Sequence, residues 1–271
     1  MAVIDYFRDF IVQTLLWVWL AAFLICGLIE RLAPAEKRQP AGDLLMNLGY
    51  SVVLNWLLFT AAPAMGAIET FILNGFGLGL IELPASGWPL AGSVALYLLV
   101  ADFMEYAFHR AQHAWPFLWA MHSFHHSDRS VNVTTTQRNF WLEIPLKTAF
   151  VYPVVAILFK TPPAVLAIAT LFGAIRFFSH MNLRLSLGPL WPAVTGPQYH
   201  RIHHSPLPQH WNKNFAAFFP IFDVVFGTHY RPRPGEFPAT GLDTADAPRT
   251  ILEAVLWPLR RWLRPAGSLS R

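Results

Sequence analysis

Long apolar runs dominate the chain, and their lengths suit a lipid bilayer better than a soluble core. A membrane-crossing helix needs about 20 mostly apolar residues. Ile11 to Ile29 meets that requirement, interrupted by Gln13 and Thr14 near one end. Leu44 to Ala64 and Trp88 to Phe108 are the second and third spans, and the third carries Asp102 and Glu105 inside its apolar run. Glu143 to Phe159 and Pro163 to Phe178 flank Lys160-Thr161-Pro162 and are near the lower length limit, so they read as a hairpin that barely crosses. The pattern predicts an all-α integral membrane bundle of four to five transmembrane helices. Near the end, Thr250 and Glu253 have capping-box spacing and open an apolar stripe through Ile251, Leu252, Val255, Leu256, Leu259, Trp262 and Leu263, flanked by Arg260, Arg261 and Arg264. An amphipathic helix fits there, lying in the headgroup layer or docked on the protein itself, with Pro258 kinking it.

Composition agrees with that pattern. Charged residues make up 13% of the chain and hydrophobic ones 54%, whereas soluble domains carry about 25% charged residues. Cys26 is the single cysteine, which excludes an intramolecular disulfide, a Cys-rich zinc site and an iron–sulfur cluster. No basic leader with a small-residue cleavage site precedes the first span, so it is expected to be retained. The net charge of +4 matters through its placement. Arg31, Lys37 and Arg38 follow the first span, Arg110, Arg129 and Arg138 follow the third, and Arg201 to Arg264 carry eight more, while Met65 to Gly87 has neither Lys nor Arg. By the positive-inside rule, five crossings with the N-terminus outside put these segments on the cytosolic side, leaving Arg8 and Lys160 as exceptions. No nucleic-acid partner is expected.

Histidine spacing then supplies the chemistry. His109-Arg-Ala-Gln-His113 places two rings four apart, on one helical face. His122-Ser-Phe-His125-His126 and His200-Arg-Ile-His203-His204 each place three at i, i+3 and i+4. All three clusters fall on the predicted cytosolic side. Imidazole suits zinc, copper, iron and nickel. A structural zinc takes four ligands and a catalytic zinc three, so eight histidines exceed one ion and fit two with open positions. Neutral imidazoles leave the metal charge uncompensated, which favours iron acting as a strong oxidant; the Glu-x-x-His pairs of ferritin-like di-iron bundles do not occur. Asp102 is the candidate supporting carboxylate, orienting a ligand ring by accepting its other N–H, with Glu105 and then Glu143 behind it.

These motifs resemble the fatty acid hydroxylase and sterol desaturase superfamily. The three clusters, Ser205-Pro206, Leu118-Trp119, Asp102 and Phe222-Asp223-Val-Val-Phe226-Gly227-Thr228 carry the resemblance, together with Ser179-His180-Met181-Asn182. It covers about Asp102 to Thr228. The resemblance implies a non-haem di-iron centre under a cap of cytosolic helices, reached by lipid from the bilayer. It implies His109, His113, His122, His125, His126, His200, His203 and His204 as ligands and adds His180 as a ninth. Departures are Arg176, where some members place a further histidine, and Phe140, where many carry another; Asn182 or water could fill a tenth ligand place. His210 and His229 match no ligand position and read as surface or supporting residues.

The expected organisation is N-terminal transmembrane helices over 1–100, a di-iron catalytic domain over 101–230 and a basic tail with its amphipathic helix over 231–271. The expected activity is O2-dependent hydroxylation or desaturation of a membrane lipid by two iron ions, with hydroxylation preferred and zinc able to replace iron in an overexpressed sample. Electrons are expected from an external donor, ferredoxin-like or cytochrome b5-like with its reductase. The bacterial inner membrane is preferred, or the endoplasmic reticulum in a eukaryote, with the active site on the cytosolic side. The rival readings are a bis-histidine haem electron carrier and a non-catalytic lipid-binding or transport protein.

Overall fold

The computed structural model describes residues 17–263. Residues 11–16 of the first apolar run, Arg8 and Arg264 lie outside the described residues. Helix α1 is the described part of that run, Trp17–Ile29. It is followed by α2 (Ala41–Phe76), the short strand β1 (Ile81–Glu82), α3 (Gly87–Ala114) and α4 (Pro116–His126). Then come α5 (Glu143–Phe150), α6 (Tyr152–Leu158), strand β2 (Phe159–Lys160), α7 (Pro163–Phe172) and α8 (Ile175–His180). The chain finishes with α9 (Pro197–His203), α10 (Ile221–Val225), α11 (Ile251–Val255) and α12 (Trp257–Trp262).

Among the described residues, α2, α3 and the α7–α8 arm, Pro163–His180, are long and apolar enough to cross a membrane. The protein is an integral membrane protein. Two of these helices are longer than the apolar pattern predicts. Helix α2 has 36 residues, about 54 Å at 1.5 Å per residue, against a hydrocarbon core of about 30 Å. Glu69 and Asn74 dilute the apolar run without breaking the helix. The surplus at its start enters the cap, where Asn47, Tyr50 and Leu54 are buried. Helix α3 runs on past Phe108 to Ala114, so its last turns, beyond the apolar run, carry His109 and His113.

The expected hairpin is two broken arms. Pro153, at the start of α6, lacks the N–H that would continue α5. The α7–α8 arm breaks at Gly173 and Ala174, where a Cβ on Gly173 would stand 2.8 Å from Trp19 Cζ2, so glycine lets α1 pack closely on the break. Opposite the cap, β1 and β2 pair in parallel, Ile81 with Phe159 and Glu82 with Lys160. Each arm therefore links that pair to the cap.

The cap gathers α4, α9 and the loops around them onto the inner ends of the long helices. Arg138 is buried and binds three partners: Phe124 O through Nε, Asn47 Oδ1 and Ser127 Oγ. Asn47 in turn donates to Asp128 at 2.8 Å. The loop after α1 is tied in by Glu36, whose carboxylate meets Arg201 and whose backbone N–H donates to Asn182 Oδ1. Phe140 lies in the apolar core where α2, α4 and α12 meet.

The C-terminal segment docks on the cap. Trp257 Nε1 donates to Ser123 Oγ at 3.0 Å and Trp262 Nε1 to Phe117 O at 3.1 Å. Leu252 and Leu263 stay exposed on its other face. Pro258 divides it into α11 and α12. Half of the predicted capping box forms: Thr250 Oγ1 accepts from Glu253 N, while the Glu253 carboxylate takes the N–H of Arg249.

Candidate metal centre

Nine histidines converge at the junction of cap and membrane helices. His109, His113, His122, His126 and His203 form one group and His125, His180, His200 and His204 the other, with the ligand atoms of each group within 4.8 Å of one another. The i, i+3 and i+4 spacing does what helical geometry requires, presenting the rings of α4 and of α9 on a single face. Neither helix serves only one group. α4 sends His122 and His126 to the first and His125 to the second, and α9 divides its histidines likewise.

Five of the nine rings are aimed by a partner on Nδ1. His109 Nδ1 donates to Phe215 O at 2.7 Å, His180 Nδ1 to Arg176 O at 2.7 Å and His203 Nδ1 to Lys213 O at 2.8 Å. His125 Nδ1 donates to Arg138 O at 3.2 Å, and His122 Nδ1 faces Glu143 Oε2 at 3.4 Å. A carbonyl cannot donate, so Nδ1 carries the proton and Nε2 is left as a bare lone pair. Those lone pairs point at one another. His125 and His180 have used their N–H groups on carbonyls, yet their Nε2 atoms stand 3.1 Å apart. His200 Nε2 lies 3.0 Å from the same His180 atom. Facing lone pairs repel unless a cation sits among them. In the first group, His109, His122 and His203 have buried Nε2 atoms without a hydrogen-bond partner.

A metal fits this arrangement. With metal–nitrogen bonds of about 2.0–2.1 Å, adjacent ligand atoms stand about 3 Å apart, the spacing seen here. Protonation is a poor alternative. Burial first, and neighbouring imidazoles second, hold His122, His125, His126, His200, His203 and His204 well below the usual 6.5. A ligand imidazole must be neutral, and this environment favours that form.

Asp102 does not orient a ligand ring as expected. Its carboxylate accepts from the N–H groups of Phe218 at 2.9 Å and Phe219 at 2.7 Å. Seven residues separate it from His109, about 10 Å along a helix axis, too far for a direct contact. It fixes instead the chain segment whose Phe215 carbonyl holds His109. Asp223 secures the same segment, accepting from Phe215 N, Ala216 N, Tyr199 Oη and Thr228 Oγ1. The motif around Asp223 carried only a resemblance in the sequence; its job as a clamp needed the fold.

Glu143 belongs to the site more firmly than expected. It is buried, takes Gln112 Nε2 at 2.7 Å and the Phe140 N–H at 3.2 Å, and backs His122. Glu105 faces the site cavity but pairs with Lys147 and Arg176. Asn182 is no tenth ligand: its amide clasps the backbone of Glu36 in both directions. His210 and His229 stay outside both groups. His210 is buried, with Nδ1 against Ser205 Oγ at 2.9 Å, and His229 stacks on Trp191.

Cavities open on both sides of the histidines. One, toward the cap, touches His113, His126 and His203 beside Trp211 and Asn212. The other, toward the membrane helices, touches His109, His122, His125, His180 and His200.

The fold and this site define a class: a helical membrane protein with a buried polyhistidine centre able to hold metal. The fatty acid hydroxylase model matches residues 94–228. Ornithine lipid hydroxylase OlsE of Rhizobium tropici is 30% identical over 231 residues, covering 81% of this chain and 69% of that protein. Alkylglycerol monooxygenase of Xenopus tropicalis is 35% identical over 159 residues, 58% of this chain and 34% of that one. Very-long-chain aldehyde decarbonylase GL1-7 of rice, Oryza sativa subsp. japonica, is 24% identical over 211 residues, 74% of this chain and 29% of that one. No solved structure matches. The chain belongs to the fatty acid hydroxylase family, among relatives named as lipid-oxidising enzymes. It spans about a third of the alkylglycerol monooxygenase and about two thirds of the ornithine lipid hydroxylase.

Proposed function

We propose that this protein is an iron- and O2-dependent oxidoreductase that hydroxylates a membrane lipid. One observation carries the reading: nine imidazoles, seven of them buried and His109 and His113 half-buried, divide into two convergent groups whose lone pairs face inward. His109, His113, His122, His126 and His203 would hold one iron ion, and His125, His180, His200 and His204 the other. Bound iron supplies the O2 and one-electron chemistry that side chains lack.

The chain's own residues do the rest. Backbone carbonyls of Phe215, Arg138, Arg176 and Lys213 fix the ring tautomers, and the clamps of Asp102 and Asp223 hold the Phe215 carbonyl in place. Seven of the nine rings are buried, which limits their contact with water. The membrane-side cavity lies next to the apolar helices, which is where a lipid would arrive. The names of the relatives favour adding oxygen over desaturation. Electrons would come from a separate donor, for which the basic cap offers an attractive face. The positive-inside distribution supports a cytosolic centre, in a bacterial inner membrane if the source is bacterial. Residues 101–230 would then be the catalytic unit, between the first membrane helices and a basic tail.

Lipid mass spectrometry of cells with and without the gene tests the activity. A lipid gaining one oxygen atom supports hydroxylation, and one losing two hydrogens redirects the reading to desaturation. An unchanged lipidome, with purified protein inactive when supplied with iron, O2 and reductant, refutes it. The purified protein should hold iron without the Soret band of a haem carrier. Zinc in an overexpressed sample would not count against iron, because imidazole sites bind zinc more tightly than ferrous iron.

A further inference from the structure

The membrane-side cavity holds a cluster of charged side chains that neither hold the metal nor aim its ligands; of these residues only the backbone carbonyl of Arg176 reaches a ring, His180. Glu105 on α3 meets Lys147 Nζ of α5 at 2.5 Å and the Arg176 guanidinium of α8 at 3.1 Å. Three helices, α3, α5 and α8, thus place charged side chains together beside the histidines. Such groups are costly at membrane depth and are kept there for a function. Their positions show which one. The site cavity, of about 80 Å³, is lined by all three residues. A second cavity, of about 330 Å³ between α3 and α7, is lined by Glu105 and Arg176. A third, of about 520 Å³ toward β2, again reaches Glu105. The second and third share the apolar-bodied Tyr97, Ala101, Tyr152 and Leu166. Glu105 is common to all three cavities. The cluster stands where an apolar space between membrane helices gives way to the metal centre.

In direct contact, one carboxylate pairs with two cations. Asp102 and Glu143 lie close to Arg176 and Lys147, Glu143 one turn before Lys147 on α5, but their oxygens are spent on the Phe218 and Phe219 amides and on Gln112, His122 and the Phe140 amide. The Arg176 side chain is 37% exposed, within the cavities it lines, with one nitrogen, NH2, on Glu105. Guanidinium is the side chain best shaped to receive a phosphate or carboxylate through paired N–H groups.

We propose that Arg176 and Lys147, held in place by Glu105, form the subsite for the anionic head of an acidic single-chain lipid. Its tail lies in the apolar cavities between α3, α6 and α7. The head end is then next to the histidines, so oxidation falls near the head and not at the far end of the tail. This rests on reading the chain as a lipid oxygenase, but binding can be measured without turnover, so the two ideas fail separately.

The test uses the full-length protein in neutral detergent and two probes sharing one tail: palmitoyl lysophosphatidic acid and monopalmitoylglycerol. Wild type should bind the phosphate-bearing lipid at least tenfold more tightly. Arg176→Gln should abolish that preference and Lys147→Gln reduce it, with affinity for the neutral lipid unchanged. Glu105→Gln, which removes the competing carboxylate, should strengthen binding of the acidic lipid. If Arg176→Gln does not fold, the Lys147→Gln and Glu105→Gln shifts, opposite in sign, decide the matter. Equal affinity of wild type for both probes overturns the proposal, as does a preference that survives Arg176→Gln. Inorganic phosphate binding as tightly as the acidic lipid would also overturn it, because the site would then serve a free anion.

Discussion

The two histidine groups differ in how they are built. The five-membered group draws on α3, α4 and α9 and is open to cavities on both sides, with His109 and His113 only half-buried. The four-membered group is buried throughout and depends on His180, the lone histidine of α8, whose Nε2 meets those of both His125 and His200. One group is filled wholly from the clustered repeats. The other is a line of Nε2 atoms, His125 to His180 to His200 to His204, with steps of 3.1, 3.0 and 3.1 Å, and one of its inner members is that lone histidine.

Removing His125 or His203 should have the largest effect, because each comes from a helix that feeds both groups. His125→Ala or His203→Ala should abolish activity and strip metal, as read by elemental analysis; retention of full metal content by either would mean the ligand assignment is wrong. His180→Ala separates the groups. Metal per chain should fall from about two to about one, with the first group intact, and loss of both ions would show that the groups form one cooperative unit. Asp102→Asn weakens the clamp behind His109 and so bears on the first group alone. A loss of about 10–100-fold in metal affinity or activity is the scale for a supporting residue, and an equal loss in the second group would contradict the separation.

Acid provides a gentler probe. Burial holds the folded-state pKa of six cap histidines, among them His126 and His200, below their unfolded value. The unfolded chain therefore takes up protons that the folded chain refuses. Stability of the metal-free protein should be fully present above about pH 6.5, the ordinary histidine value, and should decline as pH falls below it. A thermal melting point flat from pH 7.5 to 5 would contradict this. The smallest effect belongs to His229→Ala, which lies outside both groups, stacked on Trp191. Its metal content should match wild type.

Some of this was readable along the chain. Apolar spans and i, i+3, i+4 histidines are local periodicities, so the transmembrane helices and eight of the nine converging rings could be recognised. His180 could not be derived that way; a single histidine at a helix end has no local pattern, and only the family resemblance brought it in. Asp102 was misassigned because helical spacing tells which face a residue shares, while its partners, the Phe218 and Phe219 amides, lie 116 and 117 residues away. Asn182 looked available as a ligand for the same reason, before Glu36 was seen to occupy it. Glu69 concealed the extra length of α2, since one carboxylate weakens an apolar run without ending a helix.

Sequence by itself therefore determined the solvent, the helical class and the metal-loving character of the chain, because hydrophobicity and side-chain chemistry are carried residue by residue. Only the tertiary structure decided how nine imidazoles divide into five and four. It also decided which carbonyl aims each ring and which charges meet at the mouth of the lipid cavities. Those are distances between remote parts of the chain, and packing alone sets them.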